Sequence, residues 1–319
     1  TRDRPETARE ENKKVRRSKA MYDVIIIGAG PAGISAGIYS VSRGKKTLIL
    51  EKQAIGGLIG KVSTVTHYAG ITEGETGKTF AERMKKQAMD AGVEFKMETV
   101  TEVELKGKTK TVTTERGVYQ AEKVIIAAGT SPRMLGIPGE KELSGKGMTM
   151  NAARDCDAYA GKHVYVVGGS DGAVKEALYL SKSASQVTII HFEDGLGCIA
   201  EFREKAEKCP NMIVRLNSRL HGVYGTERVE ALEIADERTG AIETIEDPGC
   251  GIFVYAGTVP NTELYGQLKL ENGFIPVNER METEIPGVYA AGDIRVKGVR
   301  QVSTAVADGT IAAVYAAMN

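Results

Sequence analysis

The chain has 319 residues, and at about 150 residues per domain this length predicts two domains, each large enough to bury a core. Its 42 Lys and Arg residues balance its 42 Asp and Glu residues, so it lacks the charge excess that general binding to nucleic acid or to a membrane surface requires. No apolar run approaches the roughly 20 residues of a membrane span. We expect a globular protein with no nucleic-acid partner and no membrane attachment.

The four cysteines are scattered along the chain, at Cys156, Cys198, Cys209 and Cys250. They form no C-x-x-C pair and no Cys/His spacing typical of a zinc site, so we expect no bound metal. In a chain of this size, scattered thiols favour a reducing compartment over a disulfide-stapled secreted fold. The cysteine usage therefore predicts a cytoplasmic protein.

Residues 1–20 contain eight Lys or Arg and four Asp or Glu residues and almost nothing apolar. This composition lacks the apolar core of a secretory signal peptide. We interpret the segment as a charged tail outside the fold, with a basic arm that docks a partner as the alternative.

From Tyr22 onward, short apolar runs alternate with helical patterns. Residues 24–27 form an apolar run that ends in a glycine cluster, residues 34–42 have a helical pattern, and residues 47–50 form a second apolar run. Continuous apolar strands that alternate with helices indicate a parallel sheet covered on both faces.

This strand–turn–helix unit recurs further along the chain. Segment 163–167 repeats the first strand, and Gly168 then falls where Gly28 fell. A second repeat relates segment 252–260 to segment 124–132 without a gap. The repeats predict an α/β protein with two tandem Rossmann-like, three-layer nucleotide-binding domains.

The repeats also predict how the domains are divided. Residues 21–130 and 256–319 would form the first domain, and residues 131–255 would form a second domain inserted into it. The closing segment has a strand over residues 287–291 and a long helix from about Gln301, with no module of its own to complete. We expect this segment to return to the first domain.

The first glycine cluster, residues 28–33, is a G-x-G-x-x-G sequence between a strand and a helix. Gly28 allows the tight turn, Gly30 lets the backbone approach a pyrophosphate, and Gly33 lets helix and strand pack closely. Glu51 ends the strand that follows this helix. Its carboxylate can accept hydrogen bonds from both hydroxyls of an adenosine ribose. This context favours dinucleotide binding over a glycine-rich turn that binds nothing.

The second glycine cluster, residues 168–173, is degraded. Ser170 replaces the glycine of closest phosphate approach, and Asp171 adds a negative charge. His191 takes the position of the ribose-binding acid, and Glu193 would repel a 2′-phosphate. NADH is compatible with this pattern, and NADPH is disfavoured. The alternative is that this domain no longer binds a nucleotide and is kept as a folding scaffold.

Together these motifs resemble the low-molecular-weight thioredoxin reductase family over almost the whole chain from Met21. The matching segments are residues 22–24, 28–33, 51–52, 56–57, 127–130, 168–169, 173–174, 176–180, 260–262, 270–273, 285–293 and 300–301.

The resemblance implies an extended FAD in the first domain, and a homodimer that pairs through these domains. The residues implied at the pyrophosphate are Gly28, Gly30, Pro31, Ala32 and Gly33. Those implied at the adenosine are Glu51, Lys52 and Val100. Those implied along the rest of the cofactor are Gly57, Leu58, His67, Gly129, Gly292, Asp293, Arg300, Gln301 and Val302. Of these, Asp293 would accept a hydrogen bond from a hydroxyl of the ribityl chain. Arg300, Gln301 and Val302 would bring a helix N-terminus to the flavin.

Two departures from the family alter the expected function. The positions of its redox-active C-x-x-C, residues 151–154, read Asn-Ala-Ala-Arg, and Asp155 matches the neighbouring family aspartate. The family's H-R-R-x-x-x-R motif, which binds the 2′-phosphate of NADPH, corresponds to residues 191–197, and only its histidine is present here. We therefore expect an FAD-dependent oxidoreductase that passes electrons between NADH, or a ferredoxin- or flavodoxin-type carrier, and an unidentified acceptor.

Two alternatives stay open. Cys156, two residues beyond the second lost cysteine, would serve in an unconventional disulfide reductase. A flavin-binding protein without catalytic activity is the other alternative.

Overall fold

Two separate parallel sheets form the centres of the fold in the computed structural model, which describes residues 20–318. The charged tail predicted for residues 1–20 lies outside the described residues, except that Ala20 is the first residue of the first strand.

The first sheet has the strand order β3-β2-β1-β6-β5-β4. Strands β1, β2, β3 and β6 pair in parallel, and β5 and β4 add to the edge in antiparallel pairs. The central strands are buried on both faces, as their continuous apolar runs require. The elements are β1 (Ala20–Ile27), α1 (Pro31–Val41), β2 (Thr47–Glu51), a 3-10 helix (Gly57–Lys61), α2 (Gly77–Asp90), β3 (Glu94–Met97), β4 (Val100–Glu104), β5 (Lys110–Thr114) and β6 (Val118–Ile126).

The second sheet is parallel, with the order β11-β10-β9-β15-β8, and a three-stranded antiparallel sheet, β12-β13-β14, covers one face. Helices α4 and α5 cover the other face. The elements are β7 (Thr130–Pro132), β8 (Met148–Thr149), α3 (Ala152–Asp155), a 3-10 helix (Cys156–Tyr159), β9 (His163–Val167), α4 (Asp171–Leu180), β10 (Gln186–Ile190), α5 (Ala200–Glu207), β11 (Met212–Arg215), β12 (Ser218–Tyr224), β13 (Ala231–Asp236), β14 (Ile242–Glu246), β15 (Gly251–Val254) and β16 (Thr258–Pro260).

The closing segment returns to the first sheet, as expected. Strand β17 (Val288–Ala290) pairs in parallel with β6, a 3-10 helix (Gly292–Ile294) follows, and α6 (Val302–Met318) packs along α1. No helix among residues 20–318 is long and apolar enough to cross a bilayer.

The repeats correspond to equivalent elements. Helices α1 and α4 begin at the equivalent positions Pro31 and Asp171, and β6 and β15 end at the equivalent positions Ile126 and Val254. Helix α1 begins three residues before the predicted start at position 34, because proline with its fixed φ is favoured at the first helical position. The fold is therefore the predicted pair of Rossmann-like domains.

The two connections between the sheets pair with each other. Strands β7 and β16 form an antiparallel two-stranded sheet in which Thr130 lies opposite Pro260. The domain boundaries at residues 130–131 and 255–256 stay a prediction.

Helices α1 and α6 approach closely at Gly309. A Cβ atom added there would overlap the carbonyl oxygen of Ala32, and the Ser35 hydroxyl donates to the carbonyl of Val306 at 2.9 Å. The helix pair therefore depends on a residue without a side chain at position 309.

We predict that Gly309→Ala lowers the free energy of unfolding by about 2 kcal/mol. Alanine would gain up to about 1 kcal/mol of helix propensity, but an overlap with backbone cannot be relieved by side-chain rotation. Chemical denaturation measures the change. Gly266→Ala is the control, because its Cβ would meet no atom within 4 Å. Equal stability of the two variants would contradict the prediction.

Candidate functional site

A cavity of about 990 Å³ opens at the carboxyl ends of β1, β2 and β6, near the upper limit of roughly 300–1,000 Å³ for ligand pockets. Every residue that the sequence placed at the cofactor lines it, with the exception of Gly33. The lining residues from that prediction are Gly28, Gly30, Pro31, Ala32, Glu51, Lys52, Gly57, Leu58, His67, Val100, Gly129, Gly292, Asp293, Arg300, Gln301 and Val302.

The glycines of the first turn serve different purposes. Gly28 has φ +106°, which side chains rarely adopt. Gly30 has no atom within 4 Å of where its Cβ would lie, so its backbone borders open cavity. A Cβ on Gly33 would overlap the carbonyl oxygen of Gly28, so Gly33 allows close packing of helix on strand rather than ligand contact. The turn can thus admit a phosphate at Gly30, at the N-terminus of α1.

Glu51 is fixed by the backbone around it. Its Oε2 accepts the Ala29 N–H at 2.8 Å and its Oε1 accepts the Gln53 N–H at 2.8 Å. Each carboxylate oxygen has a further lone pair to offer. The orientation suits the predicted bidentate contact with two vicinal hydroxyls.

Asp293 lines the cavity and has a buried acceptor that is unused. Its Oδ1 is buried and has no hydrogen-bond partner among the described residues. Burial raises the pKa of this carboxyl, and the charges of Lys297 and Arg300 counteract that rise. A buried polar atom without a partner costs about 1–3 kcal/mol, which a ligand hydroxyl at this position would offset.

The N-terminus of α6 faces the same cavity. The Gln301 N–H donates to the Thr304 hydroxyl at 3.1 Å, while Val302 and Ala305 line the cavity. The first N–H groups of a helix have no partner within it and carry partial positive charge. The guanidinium of Arg300 lies 4.2 Å from the ring centroid of Phe274. This end of the cavity therefore favours an electron-rich group.

Asn261, which lies in the family-like segment 260–262, supports the wall around Gly129 through contacts that the sequence did not predict. Its side-chain amide donates to Ala128 O at 2.7 Å, its backbone N–H donates to Gly129 O at 3.1 Å, and its Oδ1 accepts the Ser131 hydroxyl at 2.6 Å. The repeated Gly-Thr turns and the family-like segment 260–262 are the sequence signals that point to this region. Tyr265 also lines the cavity with a buried hydroxyl that has no partner among the described residues.

His67 lies between the domains, on the exposed loop that follows the 3-10 helix 57–61. Its Nε2 is 3.7 Å from Glu201 Oε2, and its ring meets that of Phe202 edge-on at 5.6 Å. Both partners belong to α5 of the inserted domain. The structure therefore gives His67 an interdomain contact in addition to its place in the cavity lining.

The inserted domain closes one side of the cavity. Its lining residues are Ser131, Pro132, Asp171, Gly172, Lys175, Ile199 and Phe202. The sequence did not predict this wall, because no local pattern shows which distant loop α4 will meet.

Two neighbouring charged residues of α4 hold the loop of the first domain. Lys175 Nζ donates to Thr64 O at 2.8 Å, and Glu176 Oε1 accepts the buried Ser63 N–H at 3.1 Å. Burial lowers the pKa of Lys175 and raises that of Glu176. Charged groups buried in this way are costly unless their hydrogen bonds are kept. These two contacts therefore help to hold the inserted domain against the first domain.

The second glycine cluster is partly filled by the protein itself. A Cβ on Gly169 would lie 2.6 Å from the His191 ring, and His191 Nε2 is 3.1 Å from Glu193 Oε2. The Asp171 carboxylate accepts the Ile199 N–H at 2.8 Å. A nucleotide here would meet two acidic side chains, which disfavours an additional phosphate.

None of the four cysteines, which all lie in the described part of the chain, lines the cavity, and all four are free thiols. Cys156 contacts the Tyr179 hydroxyl and the Asp157 carboxylate, each at 3.6 Å. Asp155 accepts two hydrogen bonds from Arg154 and one from Thr149, and these hold its pKa below the usual range. Asp155 is thus a structural partner of Arg154 and Thr149.

Comparisons with known proteins agree on one family. The family model described as pyridine nucleotide-disulphide oxidoreductase matches residues 22–309. A thioredoxin reductase from Peptoclostridium acidaminophilum is 41% identical over 302 residues, covering 93% of this chain and 96% of the relative. The crystal structure of Lactococcus lactis thioredoxin reductase in the FR conformation has a TM-score of 0.89 at 34% identity, covering 92% of this chain and 97% of that chain.

A ferredoxin-flavin thioredoxin reductase from Clostridium acetobutylicum is 28% identical, with 94% of this chain and 98% of that chain covered, yet its TM-score is 0.52. At similar coverage, this chain therefore superposes less closely on that structure than on the Lactococcus lactis structure.

We predict that Glu176→Ala speeds amide hydrogen exchange at Ser63 by roughly tenfold or more, because a hydrogen bond to a charged group contributes about 1.5–3 kcal/mol. Glu176→Gln keeps an acceptor and should stay within a few-fold of wild type. Exchange measured by mass spectrometry over residues 61–66 tests this. Glu201→Gln, at an exposed contact, is the control. Unchanged exchange in Glu176→Ala would contradict the prediction.

Proposed function

Because the chain belongs to the pyridine nucleotide-disulphide oxidoreductase family, as an FAD-dependent oxidoreductase of the thioredoxin reductase-like type, we propose a specific electron path. Electrons pass through FAD between NADH, or a ferredoxin- or flavodoxin-type carrier, and an acceptor that reaches the flavin directly. The protein has no disulfide of its own on this path. A homodimer and a cytoplasmic location belong to the same proposal, supported by the family resemblance and by the free thiols.

The residues of the cavity fit FAD. Gly30 borders open space for the pyrophosphate, Glu51 offers two oriented oxygens to the adenosine ribose, and Asp293 has a buried acceptor that lacks a donor among the described residues. The α6 N-terminus would face the flavin. When bound, FAD supplies the redox chemistry, and these residues bind and orient it.

The absence of a cysteine pair among the described residues supports the proposal against a dithiol relay, because all four cysteines are free thiols. Residues 151–154 hold no sulfur, and Cys156 packs against Tyr179 on the inserted domain. Electrons therefore leave the flavin to an external acceptor.

The charges of the inserted domain support NADH over NADPH. Glu193 is half exposed beside His191, and it would face the 2′-phosphate of NADPH. The cation of Arg219, which lies 4.8 Å from the Phe192 ring centroid, is already paired with Glu237 at 2.7 Å. A protein carrier needs no pocket in this domain, so reduced ferredoxin or flavodoxin is the second donor class.

We predict that Gly30→Ala weakens FAD binding by roughly tenfold or more, because its methyl group would occupy the space for the pyrophosphate. The melting temperature of the apoprotein should not change, because Gly30 has φ −74° and no neighbour within 4 Å of the new atom. Flavin fluorescence titration gives the dissociation constant. Gly195→Ala, which also meets no neighbour, is the control. Wild-type affinity in Gly30→Ala would contradict the assignment.

Anaerobic stopped flow with each electron donor tests the function itself. We expect NADH or reduced ferredoxin to bleach the flavin absorption, with NADH faster than NADPH by roughly tenfold, the effect of about 1.4 kcal/mol of repulsion. Glu193→Gln should narrow that ratio. Faster reduction by NADPH than by NADH would contradict the charge argument. No reduction by any of these donors or by reduced flavodoxin would contradict the proposed function.

A further inference from the structure

Asp308 does not line the cavity, but it contacts Gly292, which belongs to the lining. It lies in α6, is 3% exposed, and accepts the Gly292 N–H at 3.1 Å. Its carboxylate also accepts two hydrogen bonds from Arg295, at 2.8 and 2.7 Å, and one from Lys297 at 2.7 Å. Four donors thus converge on one buried side chain.

The hydrogen bond to Gly292 fixes the turn that carries Asp293. Gly292 has φ +81°, and a Cβ there would lie 2.9 Å from Ala32 Cβ. The next residue of α6, Gly309, sits against the Ala32 carbonyl. Neighbouring positions of α6 therefore contact both this turn and the start of α1. Asp308 contributes the hydrogen bond that orients the turn.

Asp308 also balances charge close to Asp293. With Arg295 and Lys297 it forms a cluster of one anion and two cations, and the side chains of Lys297 and Asp308 are only 5% and 4% exposed. The pKa of Asp293 responds to both Lys297 and Asp308. Solvent screens such buried charges weakly, so a change of one charge here would act on whatever Asp293 contacts.

We propose that Asp308 is a positioning residue for the flavin site: it holds the Gly292–Asp293 turn in place and sets the local charge beside it. The inference rests on the proposed function, because it requires FAD beside Asp293. No feature of the sequence sets Asp308 apart from an ordinary helical aspartate. Only the fold brings its four donors together.

Three variants of the FAD-loaded protein test the charge part. The cluster has a net charge of +1 in wild type, +2 in Asp308→Asn, 0 in Lys297→Met and +1 in the double variant. Added positive charge favours the reduced, more negative cofactor. The midpoint potential should therefore be highest in Asp308→Asn and lowest in Lys297→Met, and the double variant should return to wild type. Spectroelectrochemical titration measures it.

Lys110→Met is the matched control, because Lys110 is 2% exposed and binds Gly107 O and Pro286 O away from the cavity. Its midpoint potential should equal that of wild type. A residue with a purely structural role would disturb the potential without this order, and without recovery in the double variant.

The positioning part is tested by FAD affinity. Asp308→Asn keeps an acceptor for the Gly292 N–H and Asp308→Ala does not, so Asp308→Ala should bind FAD at least tenfold more weakly than Asp308→Asn. If Asp308→Ala does not fold, the midpoint potentials of Asp308→Asn, Lys297→Met and the double variant still test the proposal. A wild-type chain that binds no FAD overturns the proposed function and this inference with it. A wild-type chain that binds FAD while the potentials lack the predicted order overturns this inference alone.

Discussion

The close approach of α6 to α1 is the constraint on which the site depends. Gly309 lets the last helix contact the Ala32 carbonyl, and this contact brings the C-terminal turn at Asp293 to the first glycine turn. These two parts of the site come from opposite ends of the described chain. Without this contact, the glycine turn would lack the opposite wall of the cavity, and an acceptor such as Asp293 would have no place beside the cofactor.

The inserted domain adds a second constraint. Lys175 and Glu176 bury their charges against backbone atoms of residues 63–64, which satisfies part of their hydrogen-bonding capacity. Buried ionic groups contribute little net stability compared with apolar packing, but they specify one geometry. The cavity that they help to close is lined by both domains. In this arrangement the α4 N-terminus, rather than a pair of thiols, faces the flavin site.

The sequence predicted those features that depend on local spacing. The strand–glycine turn–helix pattern predicted β1 and α1, its repeat at Gly168 predicted α4, and the position of Glu51 at the end of the next strand pointed to an acid that the backbone does orient. The family resemblance placed Asp293 in the lining. Contacts over long sequence distances were not accessible: Lys175 meets Thr64 across 111 residues, and Asn261 meets Ala128 across 133.

The most direct test of a flavin site without a thiol pair is a count of electrons. Anaerobic titration with dithionite measures the electrons that the FAD-loaded protein accepts per flavin. We predict an uptake of two electrons per flavin, all accepted by the flavin itself, with the same value in Cys156→Ser. An uptake of four that falls to two in Cys156→Ser would place a redox-active disulfide on the path and contradict the account, since a disulfide takes two electrons of its own.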